Sequence, residues 1–239
     1  MITYIKIFLI VVHTLVCSII GIAVIFLDRS FILYHYLAKI FPGGILLISG
    51  IRVKVTGLEN IDNKSVYVFA SNHSSQIDIT ALQWGVPNRL SMIFKKELAR
   101  IPFFGWQLYL GPYVVIDRND PKAAMNSLTE AKKVMDKKKI SVLVFPEGTR
   151  SKTGEVQSFK RGAFYLAAHS GYPIVPITIN GTKNVLPKGT FKLKSGTIYL
   201  HFDKPIMTDN IKSKQDELAL MEKVREIIIS NQKEYNQWQ

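Results

Sequence analysis

A histidine and an aspartate five residues apart, His73 and Asp78 in Ser71-Asn72-His73-Ser74-Ser75-Gln76-Ile77-Asp78, carry the most direct chemical possibility in the chain. An imidazole accepts a proton near neutral pH, and a carboxylate bonded to its other ring nitrogen fixes the tautomer and stabilises the imidazolium that forms. The pair would make a general base. Residues five apart on one continuous helix point well away from each other, so the pairing requires His73 in a turn and Asp78 near the start of the following helix. Alone, the spacing fits equally a histidine at a strand end and an aspartate favoured in a helix's first turn.

A second polar stretch, Pro146-Glu147-Gly148-Thr149-Arg150-Ser151, follows the apolar run Ile140 to Phe145. Gly148 lets backbone approach a ligand, Thr149 and Ser151 offer hydroxyls, and the Arg150 guanidinium can grip a phosphate at two points. Glu147 would repel that phosphate directly, which leaves it to hold Arg150 or to accept a bond from a substrate hydroxyl. The plain alternative is a polar turn whose Glu and Arg pair with each other. Two further cationic positions end apolar runs: Lys95 after Met92-Ile93-Phe94, and Arg118 after Val114-Val115-Ile116-Asp117. Phe159 to Phe164 suits a helix start, or the far wall of a pocket.

The elements that must position these residues alternate in type. Short strand candidates lie at Ile51 to Val55, Val66 to Ala70, Leu90 to Phe94, Tyr113 to Ile116, Ile140 to Phe145, Ile174 to Ile179 and Thr197 to Phe202. Helical periods lie between and after them: Ala124, Leu128, Ala131 and Met135 on one face after Asp120-Pro121, and Leu218, Met221, Val224 and Ile228 on another. This predicts an α/β fold, a largely parallel or mixed central sheet with helices on both faces, in which ligands gather at the strands' C-terminal ends.

Ahead of it, Ile7 to Leu27 is free of formal charge. At ~1.5 Å per residue it would reach about 31 Å, the depth of a hydrocarbon core. Spanning the bilayer and dipping into one leaflet are both consistent with that reach. Phe31 to Phe41 is apolar but carries His35 and Lys39 and runs into Pro42-Gly43-Gly44. It predicts a shorter interfacial helix ended there, with Phe31, Tyr34, Tyr36 and Phe41 near the headgroups and Lys39 among the phosphates. The expected organisation is a membrane-associated helical hairpin over residues 1–50 and an α/β domain over residues 51–239. The formal net charge of +13 resides almost wholly in the second part, since only Lys6, Asp28, Arg29 and Lys39 are charged before it. Such an excess suits anionic membrane surfaces or phosphate-bearing substrates; a nucleic-acid partner is set aside because no recognition module accompanies the lysines. One cysteine, Cys17, excludes an intramolecular disulfide.

Taken together, the blocks stand in a recognisable order: Asn72-His73 to Asp78; Lys95-Lys96-Glu97-Leu98 with Ile101-Pro102-Phe103-Phe104-Gly105-Trp106; Ile116-Asp117-Arg118; Phe145 to Ser151; and Val175-Pro176-Ile177. From about residue 50 to 205 the chain resembles the 1-acyl-glycerol-3-phosphate acyltransferases of the glycerolipid acyltransferase superfamily. Gly111 lies one residue further from Arg118 than the family's second block has it, so Arg118 is carried over and Gly111 is not.

The resemblance implies that His73, oriented by Asp78, deprotonates the sn-2 hydroxyl of lysophosphatidate, which attacks an acyl thioester directly to give phosphatidate. Ser74 and Ser75 are not nucleophiles in that scheme. Lys95, Arg118 and Arg150 would hold the acceptor's phosphate, with Glu147, Gly148 and Thr149 shaping the place of its glycerol. It implies no metal and no bound cofactor, acyl-CoA or acyl carrier protein as co-substrate, and a cell or inner membrane location with the catalytic domain on the cytoplasmic side. Another lysophospholipid, glycerol-3-phosphate or a lyso-ornithine lipid as acceptor would use the same pair. A non-catalytic peripheral membrane protein would explain the charge and the hairpin but not the ordered blocks.

Overall fold

Strands whose two faces are both covered read as near-continuous apolar runs, and the central strands do, with polar residues chiefly at their ends. The chain, seen in a computed structural model, is described over residues 2–117 and 120–237. In β2 (Val68–Ser71) Val68 and Ala70 enter one core and Phe69 enters the other; in β5 (Ser141–Val144) Val142 and Val144 face the first and Leu143 the second. The remaining strands are β1 (Ile51–Thr56), β3 (Leu90–Lys95), β4 (Val114–Ile116), β6 (Ile174–Asn180) and β7 (Gly196–Phe202). They form a seven-stranded sheet in the order β1-β7-β6-β2-β5-β3-β4. Neighbours are parallel throughout except β6 with β7, so the sheet is mixed with a parallel centre. The C-terminal ends of β2, β5, β3 and β4 therefore open along one edge.

One face carries α5 (Pro121–Lys138), α6 (Gly162–Ser170) and α8 (Lys214–Gln237), which bury Leu128, Ala131 and Met135, then Phe164 and Leu166, then Leu220, Val224 and Ile228. The buried stripe of α8 centres on Leu220; Leu218, expected on it, is 40% exposed. On the other face lie α2 (Ile32–Ser49) and α3 (Ile77–Gly85), with the short α4 (Phe104–Leu110) and α7 (Thr182–Val185) at the edges.

The N-terminal hairpin differs from expectation in its second arm. That helix does not stop at Pro42-Gly43-Gly44 but continues to Ser49. Proline removes one backbone donor from it, and the two glycines serve close packing: a Cβ on Gly43 would stand 2.8 Å from the Trp84 ring and one on Gly44 2.3 Å from the His13 ring. The His13 ring also donates from Nε2 to the Phe41 carbonyl at 3.0 Å. Lys39 does not reach for headgroups. Its ammonium donates to the carbonyls of Gln83 (2.8 Å), Trp84 (3.3 Å) and Val86, which α3 leaves unpaired at its C-terminus. Tyr34 is buried edge-on to Tyr113, and Phe41 faces Phe104; of the expected headgroup aromatics Tyr36 is the strongly exposed one. The second arm is thus a wall of the α/β core.

The first arm, α1 (Ile2–Leu27), packs on α2 and α4, with Gly21 against Gln107 and Tyr34 and Ile25 clustered with Tyr34, Phe94 and Tyr113, and leaves Phe8, Val11, Leu15, Val16 and Ile19 exposed. Both arms are long and apolar enough to cross a membrane. Deleting residues 2–27 should abolish co-sedimentation with phospholipid vesicles at high salt, where screened lysines no longer adsorb and inserted apolar surface still does. Retained co-sedimentation would place the anchor elsewhere.

Candidate active site

Two residues beyond β2 the chain turns, and Asn72 sets that turn. Its buried amide donates to the Ile179 carbonyl and accepts from the Ile179 N–H, both at 2.9 Å, continuing the ladder to β6 with a side chain. His73 follows, and Asp78 stands in the first turn of α3, fully buried. One oxygen of Asp78, Oδ2, accepts three N–H groups: His73 Nδ1 at 2.8 Å, the Ser74 backbone at 2.7 Å and the Ser75 backbone at 2.8 Å. Asp78 therefore both ties the turn into the helix and orients the imidazole; the two readings of the spacing are one arrangement. With Nδ1 donating to the carboxylate, Nε2 is the nitrogen left to accept a proton. The ring stacks on Phe145 at 4.0 Å between centroids.

The loop after β5 grips the same residue. Glu147 Oε1 accepts the His73 N–H at 2.7 Å, and the Ser151 N–H donates to the His73 carbonyl at 2.7 Å. The second Glu147 oxygen accepts from the Gln157 side chain at 2.8 Å and its backbone at 3.3 Å. Among the described residues Glu147 pairs neither with Arg150 nor with any other cation, so of its two expected roles the hold on Arg150 is not made; its carboxylate instead braces the His73 turn. Burial raises its carboxyl above the ordinary 4.5, against the opposing pull of the N–H groups of His73 and Gln157. Gly148, at φ 70°, makes the sharp exit from that brace and passes so close to Lys160 that a Cβ would meet its stem at 3.0 Å.

These groups stand at the mouth of a cavity of about 440 Å³ enclosed between the hairpin and the sheet. His73, Lys95, Gly148, Thr149 and Arg150 all line it, so the structure brings these expected site residues together; Arg118 lies outside the described residues. The rest of the lining includes the apolar side chains of Met92, Leu98, Phe104 and Leu143, and Tyr113, whose hydroxyl accepts from Gln83 at 3.3 Å. No carboxylate lines the cavity among the described residues. The Arg150 guanidinium has no hydrogen bond or ion pair among them. The hydroxyls of Ser74 and Ser75 are both engaged, with Thr182 at 2.9 Å and with the Leu186 carbonyl at 2.6 Å. Sequence reasoning missed Gln157 as the partner of Glu147, and Lys188, which also lines the mouth. Neither stands out from the many polar residues around it.

A histidine–aspartate pair at a strand end and the cations Lys95 and Arg150 thus share one largely apolar cavity. Residues 52–180 match the family model described as Acyltransferase. The chain is 33% identical over 227 residues to a Saccharomyces cerevisiae protein named 1-acyl-sn-glycerol-3-phosphate acyltransferase, covering 94% of this chain and 72% of that one. It is 37% identical over 171 residues to the Limnanthes douglasii protein of the same name, covering 72% and 60%. It therefore spans less than two thirds of the length of some plant relatives. The crystal structure of the 1-acyl-sn-glycerophosphate (LPA) acyltransferase PlsC from Thermotoga maritima superposes with a TM-score of 0.84 at 26% identity, covering 98% of this chain and 95% of that one. The chain belongs to the 1-acyl-sn-glycerol-3-phosphate acyltransferase family.

Proposed function

We propose that the chain transfers an acyl group from an acyl thioester to the sn-2 hydroxyl of 1-acyl-glycerol-3-phosphate, forming phosphatidate. The observation that carries this reading is the placement of His73, backed by a buried Asp78, where an apolar cavity opens onto unpaired cations. His73 Nε2 takes the hydroxyl proton as that oxygen attacks the thioester carbonyl. The tetrahedral adduct collapses with cleavage of the C–S bond, and the imidazolium returns its proton to the departing thiolate. A thioester is already activated, so alignment of the partners and proton removal are the main tasks of the protein. The engaged serines support transfer without an acyl-enzyme.

Arg150, Lys95 and Arg118 hold the phosphate, Gly148 and Thr149 border the glycerol, and the apolar depth houses an acyl chain. Glu147 acts through the backbone of His73. The exposed apolar faces of the N-terminal helices support a site at a phospholipid membrane; on this reading the domain lies on the cytoplasmic side, where coenzyme A and acyl carrier protein thioesters are supplied. The basic surface suits either acidic donor.

Purified protein in detergent, given a labelled acyl thioester and a panel of lysophosphatidate, lysophosphatidylcholine, glycerol-3-phosphate and lyso-ornithine lipid, should form product from lysophosphatidate in clear preference. A preference for any other acceptor would overturn the assignment of substrate.

A further inference from the structure

Lys188 is one of a long run of lysines between Lys183 and Lys214, and nothing in its sequence neighbourhood marks it out. Its position does. It follows Pro187 and precedes Gly189 in a tight turn closed by the Thr190 N–H on the Pro187 carbonyl at 3.2 Å, with Gly189 at φ 80°. That turn is fastened to the catalytic loop. Ser74 Oγ and Thr182 Oγ1 lie 2.9 Å apart, the Leu186 N–H donates to the Thr182 carbonyl at 2.9 Å, and Ser75 Oγ donates to the Leu186 carbonyl at 2.6 Å. The two serines that follow the catalytic histidine thus hold the segment that carries Lys188. Its side chain lines the cavity with His73 and Arg150, and its ammonium donates one bond to the Arg150 backbone carbonyl. An ammonium has three donors, and this contact uses one.

We propose that Lys188 is a phosphate-binding residue for the acceptor, acting beside Arg150. The proposal rests on the reading of the site as a lysophosphatidate acyltransferase and extends it to a residue on a separate turn. A phosphate monoester carries between one and two negative charges near neutral pH, more than one guanidinium neutralises. Arg150 offers a planar fork and Lys188 a point charge anchored to the same backbone, with no carboxylate among the described lining residues to compete. The location selects the acceptor over the donor. In lysophosphatidate the phosphate is attached one carbon away from the hydroxyl that His73 must deprotonate. In coenzyme A or a carrier protein the nearest phosphate lies at the far end of a pantetheine arm. A cation fastened to the catalytic turn is placed for the former. Lys183, five residues earlier, is exposed and donates to the Thr153 carbonyl, outside this cavity.

The test compares full-length wild type, Lys188→Gln, Lys188→Arg and Lys192→Gln in mixed micelles. Lys192 is an exposed lysine of the same segment and controls for net charge. Steady-state rates are read for lysophosphatidate and lysophosphatidylcholine with acyl-CoA, and the dissociation constant for lysophosphatidate is measured by calorimetry without donor. Lys188→Gln should lower kcat/KM for lysophosphatidate by roughly tenfold to a hundredfold, the loss of one charge-assisted contact. It should weaken lysophosphatidate binding in parallel, leave the KM for acyl-CoA unchanged, and lower the kcat/KM for lysophosphatidylcholine, whose phosphodiester carries a single charge, by clearly less. Lys188→Arg should retain most of the binding and Lys192→Gln all of it. Equal losses toward both acceptors would reassign Lys188 to holding the Arg150 loop, a rise confined to the acyl-CoA KM would give it to the donor, and an unchanged dissociation constant would exclude it from phosphate binding; each overturns the proposal. If wild type fails to acylate lysophosphatidate, the functional reading falls, while weaker binding of the same lipid by Lys188→Gln alone would still uphold Lys188.

Discussion

His73→Ala should abolish acyl transfer, lowering kcat by at least about a hundredfold and toward ten-thousandfold, because among the described residues that line the cavity no other is a base suited to take the hydroxyl proton. Asp78→Asn should also lower kcat by orders of magnitude. An amide oxygen can still accept the Nδ1 proton, but it does not stabilise the imidazolium that forms during transfer. The two variants separate chemistry from architecture. Among the described residues the side chain of His73 makes a polar contact with Asp78 alone, so alanine there should leave the thermal midpoint near that of wild type. Asp78 also receives the Ser74 and Ser75 N–H groups, so asparagine should lower the midpoint modestly as well as the rate. Rates at fixed donor and acceptor, with far-ultraviolet circular dichroism on the same samples, decide it. Near-normal turnover by His73→Ala would remove the histidine from the mechanism.

Arg150→Lys should prove harmful even though charge is kept, since an ammonium does not reproduce a planar two-point contact. Breaking a desolvated charge-assisted contact typically costs about 2 to 5 kcal/mol, roughly a thirtyfold to several-thousandfold loss in kcat/KM toward lysophosphatidate. An acceptor without a phosphate monoester should suffer less. The quantity to measure is kcat/KM for lysophosphatidate over that for lysophosphatidylcholine, in wild type and variant at one ionic strength. A large ratio that collapses in the variant supports phosphate binding. An unchanged ratio with general loss of activity would make Arg150 a structural residue of its loop, and the absence of any ion pair for its side chain among the described residues argues against that outcome.

The strands, their order along the chain and the pairing of His73 with Asp78 were legible because each rests on local pattern: continuous apolar runs, and a histidine and aspartate separated by a turn that their own backbone builds. What escaped has partners distant in sequence. Glu147 looked like a holder of Arg150 or an acceptor for a substrate hydroxyl, whereas one of its oxygens goes to a backbone N–H 74 residues earlier, a group with no sequence signature. Pro42-Gly43-Gly44 looked like a helix stop, and it is a packing surface because Trp84 and His13 occupy the space that side chains would need. Lys39 looked like a headgroup contact until the exposed carbonyls at the end of α3 supplied a nearer partner. The same limit hid Lys188, which the Ser74–Thr182 and Ser75–Leu186 contacts bring beside the histidine.

Direct transfer at the sn-2 position is tested most plainly by following a labelled acyl group. The protein is mixed with the labelled thioester, first alone and then with lysophosphatidate, quenched rapidly, and separated into protein and lipid; the lipid is then cleaved by an sn-2-specific phospholipase. No label should remain covalently on the protein in either incubation, and the label in the lipid fraction should appear as phosphatidate that releases it as free fatty acid. Label retained on the protein and chased into lipid by acceptor would contradict direct attack, and label that survives sn-2 cleavage within the lipid would contradict the position of transfer.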